Sequence, residues 1–202
     1  MRLTRPALPT VAAATLFVLV ATVGAVTREG FDLARHAISM LSLGEHGWAM
    51  TLAFMLSGAL TVAAALGLRA ARRGRPGGAA VPLLVGTFGV GLVLAGIFPA
   101  PAGLGFPPGT PADLQPVMTP TAIGHALAFN LAFSALIAAA VVQAVAEARQ
   151  GRVWLAVFSA LVAFGLPLLI ALGMAVVLPT GVAFYAAAVL AWAWLAVVAV
   201  TA

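Results

Sequence analysis

Six runs of roughly 20 apolar residues, each long enough to cross a bilayer, leave this chain little choice of fold. In hydrocarbon the backbone N–H and C=O groups have no water to bind, so each run must satisfy them within itself as an α-helix. The runs are Ala7–Val26, Trp48–Leu68, Ala80–Phe98, Pro120–Ala146, Val153–Leu178 and Gly181–Thr201. The expected fold is all-α: a polytopic membrane bundle of six transmembrane helices with a short outer interfacial helix, forming one domain over residues 1–202. Charged residues are only 7% of the chain. A soluble domain carries about 25%, so an aqueous surface could not be covered. The first run is expected to be a retained helix, because it is long for a signal-peptide core and its removal would leave five spans.

Arginine sets the expected orientation. There is no Lys, and with the N-terminus inside, Arg2, Arg5, Arg69, Arg72, Arg73, Arg75, Arg149 and Arg152 all fall on the inner side, against Arg28 and Arg35 outside. That is the positive-inside pattern. It predicts both termini in the cytoplasm. Absent Lys and abundant Ala, Gly and Pro point to a high-GC bacterial genome, and so to the bacterial cytoplasmic membrane. The cluster Arg69–Arg75 reads as a topology anchor beside anionic lipid, so no nucleic-acid partner is expected. There are no cysteines, which excludes disulfides and thiolate metal sites. Neither a metal nor a cofactor is expected. Gly86, Gly89, Gly91 and Gly96 crowd the third run and predict close helix packing. Pro167 predicts a kink in the fifth.

The remaining polar chemistry lies in two outer stretches. In the first, Phe31, Ala34, Ile38 and Leu41 form an apolar stripe at helical spacing, with Glu29, Asp32, His36 and Ser39 on another face. This predicts an amphipathic helix from about Arg28 to Leu41, lying at the membrane surface. Asp32 and His36, one turn apart, are placed for a carboxylate–imidazole hydrogen bond. The second stretch, Phe98–Pro111, cannot be helical. Six of the thirteen prolines fall between Pro99 and Pro116. A long, stiff, apolar loop of this kind is a candidate lid over the bundle mouth. Thr119-Pro120 reads as the cap and first residue of the fourth helix. His125 sits about one turn inside it, and an ionisable group at that depth is a functional candidate. Asn130 and Ser134 add a polar strip on a different face of the same helix.

The segment His36-Ala37-Ile38-Ser39-Met40-Leu41-Ser42-Leu43-Gly44 with Gly47-Trp48 resembles an H-x-x-S-x-L-x-x-G signature. Gly96-Ile97-Phe98-Pro99 with Phe106-Pro107-Pro108-Gly109-Thr110-Pro111 resembles a G-x-F…(Y/F)PPGTP loop, and Gly124-His125 the G-H step opening the next span. These features resemble the domain of unknown function 998 family of bacterial six-span membrane proteins. The resemblance implies the six-span fold, directs attention to His36, Ser39 and His125, and implies no particular activity. The resemblance implies an Asp after the G-x-F element, which many relatives carry. Here Pro99-Ala100-Pro101 stand in its place, and Asp113 is the available substitute.

Two functions compete. The first is a non-enzymatic lipid-interacting or membrane assembly protein, meeting membrane lipid or a membrane protein partner at its outer mouth. It accounts for the sparse polar inventory. The second is a membrane-embedded enzyme or binder acting on a lipophilic small molecule, as an enzyme by acid–base chemistry on a prenyl-like substrate with Asp32, His36 and His125 as catalytic candidates. Ser39, Glu29, Phe98, Phe106, Asp113 and Asn130 are the ligand-binding candidates for either. Bis-histidine haem ligation lacks a second His within the spans. A transporter lacks midplane charge and paired broken helices.

Overall fold

The computed structural model describes residues 6–202, so Arg2 and Arg5 lie outside the described residues. Among the described residues, six helices are long and apolar enough to cross a membrane. They are α1 Ala7–Thr27, α2 Trp48–Ala71, α3 Ala80–Ile97, α4 Pro120–Arg149, α5 Val153–Met174 and α6 Thr180–Val200. The start of α4 follows from its sequence: Thr119 Oγ1 accepts the Ala122 N–H at 3.2 Å and Pro120 fills the first helical position. α5 runs through Pro167 and stops at Met174, short of the expected Leu178. Val176 then adopts a left-handed φ of 56°, which terminates a helix.

Each helix packs on its neighbours in sequence, and α1 closes the ring against α6. Polar pins reinforce the seams. Ser57 Oγ donates to Ala13 O at 3.0 Å between α2 and α1, and Trp194 Nε1 donates to Ser159 Oγ at 3.0 Å between α6 and α5. The Thr22 and Tyr185 hydroxyls meet at 2.6 Å where α1 closes on α6. Leu8, Leu66, Leu83, Leu127, Leu161 and Phe164 are exposed, while Ala13, Ala64, Ala139 and Ala187 are buried. A water-soluble bundle would not expose so many large apolar side chains. Small residues inside let helices approach, and large apolar ones match acyl chains outside. Gly91 faces the backbone of Ala132 and Gly96 the side chain of Met55, so both are packing glycines.

The ends of the bundle differ. One end carries the α2–α3 and α4–α5 turns with Arg69, Arg72, Arg73, Arg75, Arg149 and Arg152; the other carries the two polar stretches. The expected amphipathic helix from Arg28 does not form. Residues 28–37 are turns, and only Ile38–Ser42 is helical, as a 3-10 turn. Gly30 at φ 73° breaks the start. The Asp32 carboxylate accepts the Ala34 N–H at 2.8 Å, and Ala37 is extended. Side-chain bonds to nearby backbone compete with helix at such positions. The proline-rich loop folds back over this end, with Ala100 and Phe106 buried against Met40.

Candidate functional site

The ring of helices encloses a chamber of about 570 Å³. Each helix contributes to its wall: Phe17 from α1, Phe54 from α2, Phe88 and Leu92 from α3, His125 and Phe133 from α4, Ile170 from α5 and Trp192 from α6. The rings interlock edge to face, with Phe17–Phe54 at 5.1 Å and Phe88–Trp192 at 5.8 Å between centroids, a favoured aromatic geometry. Ile38, Ser39 and Pro101 form the ceiling. The lining also includes Pro116, Met118, Asn130 and Met174, which are exposed. These exposed lining residues mark where the chamber meets the exterior, around the segment that leads into α4 and the end of α5.

His125 is positioned by the end of α3. The helix stops at Ile97, which leaves the Phe98 carbonyl without a helical partner, and His125 Nδ1 donates to it at 2.8 Å. Gly124 serves the same neighbour. A Cβ there would come within 2.7 Å of the Phe98 ring. The Gly-His step thus seats one residue, its ring against position 124 and its carbonyl on position 125. The Phe54 ring meets the imidazole edge-on at 6.3 Å. His125 is 8% exposed.

His36 lies elsewhere. Its Nδ1 accepts the Asp32 backbone N–H at 2.9 Å, and its Nε2–H donates to Leu104 O at 2.9 Å. It is buried, with Phe31 at 5.4 Å and Phe106 at 5.5 Å between ring centroids. Both nitrogens are committed to backbone, so His36 ties the first outer stretch to the proline loop. Arg28 adds to the tie: its guanidinium donates to Leu41 O at 3.0 Å and Leu43 O at 2.7 Å and lies 5.4 Å from the Phe106 ring centre. Arg35 reaches Ala112 O at 3.2 Å.

The structure therefore divides the sequence candidates. His125, Ser39 and Asn130 share the chamber, with Asn130 at its opening and its Nδ2 donating to Ala126 O at 2.8 Å. Phe98 holds His125 from behind, and Phe106 is buried in the plug with His36. Asp32 and Asp113 are exposed and outside the chamber lining. Glu29 is exposed on a separate cleft between α1 and α2, together with Glu45 and His46. Among the described residues no three His, Cys, Asp or Glu side chains gather as metal ligands would. The chamber's aromatic wall was not legible beforehand, because Phe17, Phe54, Phe88 and Trp192 look like any apolar residues of a span.

A family model described as "Protein of unknown function (DUF998)" matches residues 11–201. The chain belongs to the DUF998 family. No curated protein and no solved structure matches it. The membership agrees with the resemblance carried by the loop signatures, and the family description names no activity.

This DUF998 chain has a second buried polar centre, at the arginine-bearing end. Gln143 and Glu147 are one turn apart on α4, and Gln143 Nε2 donates to Glu147 Oε1 at 2.7 Å. Arg72, just past α2, donates to Gln143 Oε1 and stands 3.6 Å from Glu147 Oε1. Arg152, before α5, places Nε 3.0 Å from Glu147 Oε2, close enough for charges to pair although the bond is not aligned. Burial pushes the Arg72 guanidinium down from its usual value, and the Glu147 carboxylate pushes back. The sequence signal was available: an amide and an acid at i and i+4 within an otherwise apolar stretch of helix.

Proposed function

We propose that this protein holds a lipophilic small molecule inside its helical ring and does no chemistry on it. It would do so in the bacterial cytoplasmic membrane, with both termini cytoplasmic and the plugged mouth facing outward. The supporting observation is the chamber itself: about 570 Å³, walled by all six helices and open to the exterior. Ligand sites are typically about 300–1,000 Å³ and mostly apolar, with a few placed polar groups. An opening bordered by exposed apolar residues such as Met118 and Met174 suits a molecule that arrives from the bilayer rather than from water.

The binding reading is favoured over an enzyme by the polar inventory. Acid–base chemistry needs paired groups whose environments set them apart. Asp32 is spent on the Ala34 N–H and lies outside the chamber, and His36 has both nitrogens bound to backbone. His125 is left without an acidic partner among the lining residues. Assembly with a protein partner through the proline loop is less supported, since Phe106 and Ala100 are turned inward. The orientation rests on the arginine distribution.

The test is native mass spectrometry of protein purified in mild detergent, comparing wild type with Ala188→Phe, which fills the chamber from α6. A defined small-molecule mass carried by wild type and lost from the variant is the expected result. Bulk phospholipid carried equally by both would overturn the reading.

A further inference from the structure

We infer that the chamber selects an uncharged lipophile with a hydroxyl head group, which donates its hydrogen bond to Nε2 of His125. This rests on the ligand-holding reading above and adds the chemistry of the head group.

The tautomer carries the inference. The Phe98 carbonyl can only accept, so Nδ1 of His125, 2.8 Å away, bears the proton. In the neutral ring Nε2 is then an acceptor. A doubly protonated ring would be a charge in apolar surroundings, and no carboxylate lines the chamber to pair with it. His125 therefore presents an acceptor to the chamber, and an acceptor recognises a donor.

The rest of the lining narrows the class. Among the described residues it contains no Arg, Lys, Asp or Glu, so neither a phosphate nor an ammonium head has a counter-charge. Thr180 Oγ1 is turned to Gly173 O at 3.1 Å, and Asn130 Nδ2 to Ala126 O. Those two donors are directed at their own backbone; the Trp192 indole N–H and the Ser39 hydroxyl also line the chamber, and a hydroxyl head group, unlike an ether or a carbonyl, can both accept from such donors and donate to His125. The volume of about 570 Å³ holds about 20 carbon-sized groups at roughly 30 Å³ each, the share of one water in the liquid. That is one medium-length chain. A single-chain alcohol with its head at His125 and its tail among Phe17, Phe88 and Trp192 satisfies all these conditions.

The experiment titrates purified protein with farnesol and with farnesyl methyl ether, which has the same chain and no donor. Binding is read by native mass spectrometry. Wild type is expected to bind the alcohol about tenfold more tightly, since the ether leaves the acceptor on His125 unpaired. His125→Asn keeps a side-chain N–H for Phe98 O, and its only acceptor, Oδ1, lies close to Cβ, withdrawn from the place of Nε2. It is expected to hold its thermal midpoint and to bind both compounds alike. Equal binding of alcohol and ether by wild type, or a preference that survives in His125→Asn, overturns the head-group assignment while the ligand-holding reading stands. If wild type binds neither compound, or Ala188→Phe binds both as well as wild type does, the chamber is not their site and both readings fall.

Discussion

Gly58 of α2 and Gly89 of α3 face each other so closely that a Cβ on either would strike the other's carbonyl oxygen, at 2.6 Å and 2.7 Å respectively. The contact is reciprocal and involves backbone, which cannot swing away as a side chain can. Gly89→Ala is therefore expected to destabilise by about 1–3 kcal/mol, the usual cost of overpacking. Gly86→Ala serves as the control, since its Cβ would meet only Ala65 Cβ at an ordinary 3.5 Å. Thermal unfolding in detergent measures both. Equal midpoints for the two variants would show that the α2–α3 seam yields easily.

Glu147 joins α4 to the start of α5 through Arg152 and to the end of α2 through Arg72. Removing one member of a buried ion pair strands the other and costs about 3–5 kcal/mol. Glu147→Ala should lower stability by that order. The double change Arg72→Met with Glu147→Leu should recover part of the loss, because the buried Arg72 charge leaves with its partner and Arg152, about a third exposed, can turn to solvent. A double-mutant cycle on the unfolding midpoint reads the coupling, and additive effects would deny it.

His36 is expected to act as a tie. His36→Ala removes two hydrogen bonds to backbone, from Asp32 N–H and to Leu104 O, and leaves those groups unsatisfied at about 1–3 kcal/mol. The loop between Pro99 and Met118 should become sensitive to protease while the helices keep their circular dichroism. Ligand binding should weaken less than in Ala188→Phe. A variant with wild-type protease resistance and no bound ligand would instead place His36 in the binding chemistry.

The orientation is open to a direct test because the chain has no cysteine of its own. Arg73 and Asp113 are both exposed, at opposite ends of the bundle. On intact cells, a thiol reagent that cannot cross membranes should label Asp113→Cys and spare Arg73→Cys. The opposite pattern would invert the orientation and put the plugged mouth in the cytoplasm.

The six helices were readable from the chain because the bilayer constraint is local: a run of apolar residues of sufficient length must bond its own backbone, whatever surrounds it. The Thr119-Pro120 start of α4 was readable for the same reason, since a cap is a matter of neighbouring residues. The first outer stretch was misread as a long amphipathic helix. Its periodicity was real, but Gly30, the Asp32 carboxylate and contacts with a loop about 70 residues away in sequence decide its path. His36, assigned by spacing to a polar face, is buried because Phe31 and Phe106 close over it.

Sequence by itself determined the membrane-type helical architecture, the number of long apolar helices and the family, because those depend on length, apolarity and short motifs. Only the tertiary structure decided that Phe17, Phe54, Phe88 and Trp192 surround one chamber, that Asp32 is absent from it, and that Phe98 fixes the tautomer of His125. Which residues of different helices face one another depends on rotation and packing of the helices. In a uniformly apolar chain, where every face can meet lipid, the pattern of residues along each helix leaves that rotation undetermined.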